Sequence, residues 1–346
     1  MNLSLLLLAI IQKLDGERTI YAGLHLLRGK RSGQTLQDVE YYNLKTFFGI
    51  LPKLTVEDYD EAAKLLSDAG LIETRADSSV ILTESGRLAA KTLPVYQFNG
   101  WDYRGRETIF FARLSLAIQT VSNVKAGESS FMPIQKDYDI QLFVKKLLHK
   151  QPISDPTYAS YIAGELSLCM ERSGMDDQQK IIFTHRLSGF GLTGWTWDQL
   201  ADHLKLKPFV IQLLFIESLH RLLVVIERSP DMPFLTTIAE NIKVKTYLTD
   251  SSSKTKQLFD RGMSIEEIAA MRQLKVSTIE DHFVELSIND PQFPLTQFVA
   301  EETVQEVVAK VNDMASRRLR LLKAEFETLS YFQLRLILGA RTGEGN

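Results

Sequence analysis

The sequence predicts a mainly α fold: two winged-helix-like modules with small β-wings, then a C-terminal helix-turn-helix helical domain. Apolar residues recur at helical spacing along most of the chain. Twice, a pair of helical stretches runs directly into a short β-rich stretch. Near the C-terminus, Ile265, Ile268, Ala269, Leu274, Ile279 and Phe283 have the spacing of two helices packed across a tight turn. A length of 346 residues, 45% apolar and 24% charged, suits two or three domains. Forty basic residues stand against 43 acidic ones, a net charge of −3, which argues against holding nucleic acid by bulk charge. The single cysteine, Cys169, excludes a disulfide framework and any multi-cysteine metal site, and it fits a reducing compartment.

Residues 1–98 form the first module. Leu3–Ile11 is apolar, but it has no basic flank or small-residue cleavage site and is too short to span a bilayer. It is expected to be a buried helix running to Leu14 and closed by Gly16. Thr19–Leu27 and Leu36–Tyr42 are helical by period, with Gly29–Gly33 as a break. Thr55–Ala69 is a further helix, with Thr55 as N-cap, Asp58 at box-like spacing and Gly70 past its end. Leu71–Arg75 and Ser79–Thr83 alternate as strands of a wing.

Residues 99–156 read as a helical connector, with helices at Glu107–Val124 and Tyr138–His149 and a boundary at Gln151–Pro156. Residues 157–250 read as the second module. Helices are expected at Thr157–Ser173, Asp176–Leu187, Thr196–Leu204 and from Pro208 to about Leu219. Leu222–Glu227 reads as a strand because it is β-branched. Ser251–Ser253 reads as a linker. Residues 254–340 form the last domain, with helices at Lys254–Gly262, Ser264–Arg272, Ser277–Ser287, Glu301–Met314, around Arg317–Leu329 and at Tyr331–Leu338. Residues 341–346 read as a disordered tail.

No stretch carries evident catalytic chemistry. Gly189–Gly194 matches G-x-G-x-x-G, but a helical stretch precedes it where a dinucleotide site needs a strand, so it reads as an interhelix turn. No P-loop follows any Gly-rich run. The six histidines form no metal-ligand spacing, and Cys169 lies in an apolar helix as a buried thiol. No catalytic residue, cofactor or metal is expected.

In a DNA reader the second helix of a helix-turn-helix enters the major groove. Here its candidate contacts are Lys275, Ser277, Thr278 and His282, but Glu280, Asp281 and Glu285 are expected beside them on the exposed face, where phosphates would repel them. Arg28, Lys30 and Arg31 flank a loop, and Arg317, Arg318, Arg320 and Lys323 lie on a late helix. Each group reads either as solvated or partner-facing surface or as a phosphate contact. Glu57, Asp58, Asp60 and Glu61, with Glu280, Asp281 and Glu285, are candidate docking residues for a protein partner.

The stretch Ser264-Ile265-Glu266-Glu267-Ile268-Ala269, followed by Thr278-Ile279-Glu280-Asp281-His282, resembles the helicase helix-turn-helix domain found after the helicase core in some RecQ-type proteins. Many bacterial transcription regulators share the frame more loosely, but with basic or amide residues where this chain has Glu280 and Asp281. Over nearly its whole length, through Tyr21–Thr35 as well, the chain resembles a bacterial protein family. That resemblance implies a partner of a RecQ-family DNA helicase whose core is on another chain, and no enzyme activity. The resulting expectation is a cytoplasmic, non-enzymatic adaptor in DNA repair or recombination, with DNA as a secondary contact and no membrane. The alternative is a DNA-binding helix-turn-helix transcription regulator.

Overall fold

The structure is a computed structural model that describes residues 2–244, 248–290, 292–314 and 319–340. It is mainly helical. The N-terminal stretch holds α1 (Leu3–Leu14), α2 (Tyr21–Leu27), α3 (Gly33–Tyr41), α4 (Val56–Asp68), the hairpin β1 (Ile72–Thr74) and β2 (Val80–Leu82), and α5 (Glu84–Ala90). Next come α6 (Gly100–Tyr103), α7 (Glu107–Lys125), α8 (Tyr138–His149), α9 (Pro156–Arg172), α10 (Asp177–His185), α11 (Trp197–Leu204), α12 (Pro208–Arg228) and α13 (Pro233–Ile238). The last stretch holds α14 (Asp250–Phe259), α15 (Ile265–Arg272), α16 (Val276–Asn289), α17 (Glu301–Asp313), α18 (Leu319–Glu325) and α19 (Tyr331–Ala340).

These elements form two compact units, each assembled from separate stretches. One comprises Met1–Leu6 and Pro94–Lys245, the other Leu7–Leu93 and Thr246–Asn346. In the first, α7 to α13 close around a core that includes Phe110, Leu114, Phe183, Ile211, Leu219 and Leu222. Residues on both sides of the expected boundary at Gln151–Pro156 share that core.

The second wing is corrected. Leu222–Glu227 is not a strand but the last third of α12, a helix of 21 residues. Leu219, Leu222, Leu223 and Ile226 are buried at i, i+3, i+4 and i+7 spacing, which is helical. The β-branched Val224 and Val225 fill the places between, where core packing outweighs their strand propensity. Among the described residues the sheet is the β1–β2 hairpin alone, antiparallel with Ile72 opposite Leu82 and Thr74 opposite Val80.

By length and hydropathy α12 is also the one helix among the described residues that matches a membrane span. Its middle carries Glu217 and His220, both buried and both bonded within the unit. Glu217 accepts from the Gln97 N–H at 2.6 Å and from Gln179 Nε2 at 2.9 Å. His220 Nδ1 accepts from the Asn99 N–H at 2.9 Å. These bonds suit a core helix. The Gly189–Gly194 stretch follows α10 and precedes α11, so it lacks the strand that a dinucleotide loop needs. Cys169 is fully buried, and desolvation pushes its thiol up to about 12, so it stays protonated at neutral pH.

In the second unit α4 starts as its sequence predicts. Thr55 Oγ1 accepts from the Asp58 N–H at 3.1 Å. The hairpin follows directly, and Thr83 caps α5 by accepting from the Gly86 N–H. The expected linker Ser251–Ser253 is corrected to the first turn of α14. Thr249 caps that helix, accepting from the Ser252 N–H at 3.0 Å, and Ser252 is fully buried. A run of serines resembles a linker by composition, but here the small hydroxyls meet an acidic acceptor in the core. α16 packs against α14, α15, α19 and α3, so the N-terminal and C-terminal stretches of the chain are joined in one body.

Candidate nucleic-acid interface

The α15–turn–α16 element is built by local chemistry. Ser264 opens α15 with a full capping box: its Oγ accepts from the Glu267 N–H at 3.2 Å, and Glu267 Oε2 accepts from the Ser264 N–H at 2.8 Å. Gln273 closes the helix in the left-handed region at φ 54°. Lys275 is the N-cap of α16, which begins at Val276, one residue before the expected start at Ser277.

From there α16 splits into two parts. Its first turn faces outward: Lys275, Val276 and Ser277 are exposed and Thr278 is half-buried, with no acidic residue among the first helical positions. Lys275 makes no ion pair among the described residues. From Ile279 onward most of the helix is core, with Glu280 and Asp281 left partly exposed. Ile279 and Phe283 are fully buried, and the Phe283 ring meets Phe259 edge-on at 4.8 Å between centroids and Phe298 at 5.4 Å.

Two of the three acids expected on the exposed face are answered by partners within the fold. Glu285 is buried. It accepts from the Thr249 N–H at 2.5 Å and from Ser252 Oγ at 2.6 Å, and Arg31 reaches it at 3.5 Å. The physical reason is that α14 and α3 cover this side of α16, and the start of α14 and the loop before α3 supply the donors. Asp281 is paired with Arg335 of α19 at 2.7 Å. Glu280 is half-buried.

His282 is also turned inward. Its Nδ1 lies 2.9 Å from Thr255 Oγ1 and 3.4 Å from Arg272 Nη1. Desolvation, then the Arg272 charge, holds its pKa below the ordinary imidazole value, with Glu285 and Asp281 acting the other way. A folded-state pKa below the unfolded one means that the unfolded chain takes the proton more readily. The stability contributed by neutral His282 is therefore present above about pH 6.5 and falls as pH drops from there through the folded-state value. Thermal melts should show the wild type losing more Tm on acidification from about pH 7.5 to 5 than His282→Gln does.

The other predicted site residues are scattered. Arg28 Nε donates to the Leu54 carbonyl at 2.6 Å, a tether within the fold. Lys30 is exposed. Arg320 is exposed, and Lys323 Nζ donates to the Glu327 carbonyl at 2.6 Å. Arg317 and Arg318 lie outside the described residues. Glu57, Asp58, Asp60 and Glu61 are all exposed on α4, with Asp60 accepting from the Tyr21 hydroxyl at 3.4 Å. Sequence reasoning passed over Tyr21, His25 and Gln34, which line a cavity with Lys30. All three lie in the Tyr21–Thr35 stretch, so an aromatic interleaved with basic residues was the available signal.

Residues 251–338 match the family model of a helix-turn-helix domain, which suggests DNA binding and covers α14 to most of α19. The chain as a whole is similar to Protein YpbB of Bacillus subtilis (strain 168), with 28% identity over 344 residues and 96% of each chain covered. No solved structure matches.

Proposed function

We propose that this chain is a non-enzymatic accessory protein of a RecQ-family DNA helicase. It supplies a helix-turn-helix domain in trans in the cytoplasm, and its DNA contact is auxiliary. The observation that carries this reading is the division of α16, which turns Lys275, Val276 and Ser277 fully outward and leaves Thr278, Glu280 and Asp281 partly exposed beside them. A reading helix that offers one cation and two hydroxyls makes few phosphate contacts, and affinity scales with the number of phosphates neutralised. Such a domain binds DNA weakly by itself and gains from a partner that holds it near DNA. The motif resemblance to the domain that follows a RecQ core supports that partner. The exposed acids of α4 suit docking to a basic surface.

The test is affinity purification of the full chain from its native cell, with DNase treatment. Recovery of the helicase after DNase supports the proposal. Absence of the helicase, together with tight sequence-specific DNA binding, overturns it in favour of a transcription regulator. Lys275→Ala is expected to weaken duplex binding by about 3- to 10-fold and to lower the salt slope by about 0.9, as loss of one phosphate contact should. Anisotropy titrations at several salt concentrations measure both.

A further inference from the structure

The Leu7–Leu93 stretch holds a cavity of 290 Å³, near the lower end of ligand pockets at about 300 Å³. Its lining includes Arg18, Tyr21, His25, Lys30, Gln34 and Asp38. We propose that this cavity binds one nucleotide unit, its phosphate against Lys30 and the first turn of α3 and its base against Tyr21. This deepens the reading of DNA as an auxiliary ligand by adding a second contact, away from α16.

The electrostatics favour an anion. Asp38 is the one carboxylate of the lining, and Arg18 neutralises it through bonds of 2.7 to 3.0 Å. Lys30 Nζ lies 3.5 Å from His25 Nε2 and makes no ion pair among the described residues. Desolvation and the charges of Lys30 and Arg28 lower the His25 pKa, so its ring is neutral at pH 7 and can hydrogen-bond rather than repel Lys30. Ser32, Gln34 and Thr35 bring the start of α3 to the cavity; its first turn holds no acid of its own, and the Asp281 carboxylate beside Gly33 is paired with Arg335. A helix N-terminus carries partial positive charge.

The aromatic component is equally placed. Tyr21 stays 43% exposed while stacked on Tyr59, with centroids 6.3 Å apart and planes at 27°. Tyr59 is itself fully buried and donates to the Ile20 carbonyl, so the platform under Tyr21 is fixed. An exposed ring beside a lysine is the combination that holds a base and its phosphate without sequence preference.

The loop that carries Lys30 is held in place before any ligand arrives. Gly29 adopts φ +70°, and a Cβ there would stand 2.9 Å from the Gly49 Cα. The Gly49 and Leu51 N–H groups donate to the Leu26 and Leu27 carbonyls, both at 2.9 Å, and the Lys30 N–H donates to the His25 carbonyl at 2.9 Å. A preordered loop loses little entropy on binding.

The experiment titrates the full chain into fluorescein-labelled oligo-dT of 20 nucleotides, with free dTMP as a competing probe. Lys30→Ala and Tyr21→Ala should each weaken binding by about 5- to 10-fold, and Lys30→Ala should lower the salt slope by about 0.7, the value for one phosphate on a single strand. Tyr21→Phe should bind like the wild type, because it keeps the ring and loses only the bond to Asp60. If dTMP binds as tightly as the oligonucleotide, the cavity serves a free nucleotide, and the proposal of a nucleotide site stands. If both alanine variants bind like the wild type while Lys275→Ala weakens binding, the cavity proposal falls and the contact through α16 survives. If Lys275→Ala alone is without effect, the reverse holds. Unchanged thermal unfolding of each variant confirms that the fold is intact.

Discussion

Truncating Phe283 to alanine is expected to cost about 3–5 kcal/mol. The ring is fully buried in the middle of α16, and Phe259, Phe298, Phe293 and Phe332 surround it, with centroids at 4.8, 5.4, 6.3 and 6.5 Å. Those rings come from α14, α19 and the connection between α16 and α17, so the space left behind cannot be filled by moving one neighbour. The three tryptophans, Trp101, Trp195 and Trp197, all lie in the other unit. Far-UV circular dichroism in urea should therefore show part of the helix signal lost at lower denaturant in Phe283→Ala. The tryptophan fluorescence transition should stay near its wild-type midpoint. Coincident shifts of both probes by the same amount would contradict this.

Replacing Glu285 with alanine is expected to cost about 2–4 kcal/mol by a different route. The Thr249 N–H, the Thr249 hydroxyl and the Ser252 hydroxyl lose their shared acceptor, and Ser252 is fully buried. A buried donor without an acceptor carries its full desolvation cost. Glu285→Gln keeps one acceptor oxygen and should lose less. Arg31→Ala should cost within about 1 kcal/mol, because the arginine side chain is 33% exposed and its contact with Glu285 is long, at 3.5 Å. Urea midpoints should fall in the order Glu285→Ala, Glu285→Gln, Arg31→Ala, wild type. An Arg31→Ala loss as large as that of Glu285→Ala would show that the charge pair, rather than the hydroxyl acceptors, holds the site.

Much of the fold was legible because its signals are local. The capping of α4 by Thr55, the hairpin after it and the α15–turn–α16 pair all depend on residues within a few positions of one another. The strand expected at Leu222–Glu227 shows where local propensity fails. Its β-branched composition argued for extension, while the helical spacing of Leu219, Leu222, Leu223 and Ile226 argued for the helix that forms. Ser251–Ser253 fails for the related reason that a serine run has no hydropathy of its own. Whether it ends a helix or begins one depends on the acceptor at Glu285, 33 residues away from Ser252.

The candidate interface divides in the same way. Lys275, Ser277 and Thr278 were visible as the start of a second helix. The acids that argued against DNA reading were equally visible, but their state was not. Asp281 is answered by Arg335 and Glu285 by Thr249 and Ser252, all distant in sequence.

By itself, the sequence determined that this protein is mainly helical, with a wing after α4 and a helix-turn-helix domain near its C-terminus, while the second wing it predicted does not form. Those features rest on periodicity, caps and turns, which act over one or two turns of chain. Only the tertiary structure decided which face of α16 meets solvent, that residues near 33 and near 281 belong to one body, and that Tyr21 and Lys30 share a cavity. Burial and charge pairing between distant residues are set by which surfaces meet, and no spacing within a single helix encodes the identity of the helix that will cover it.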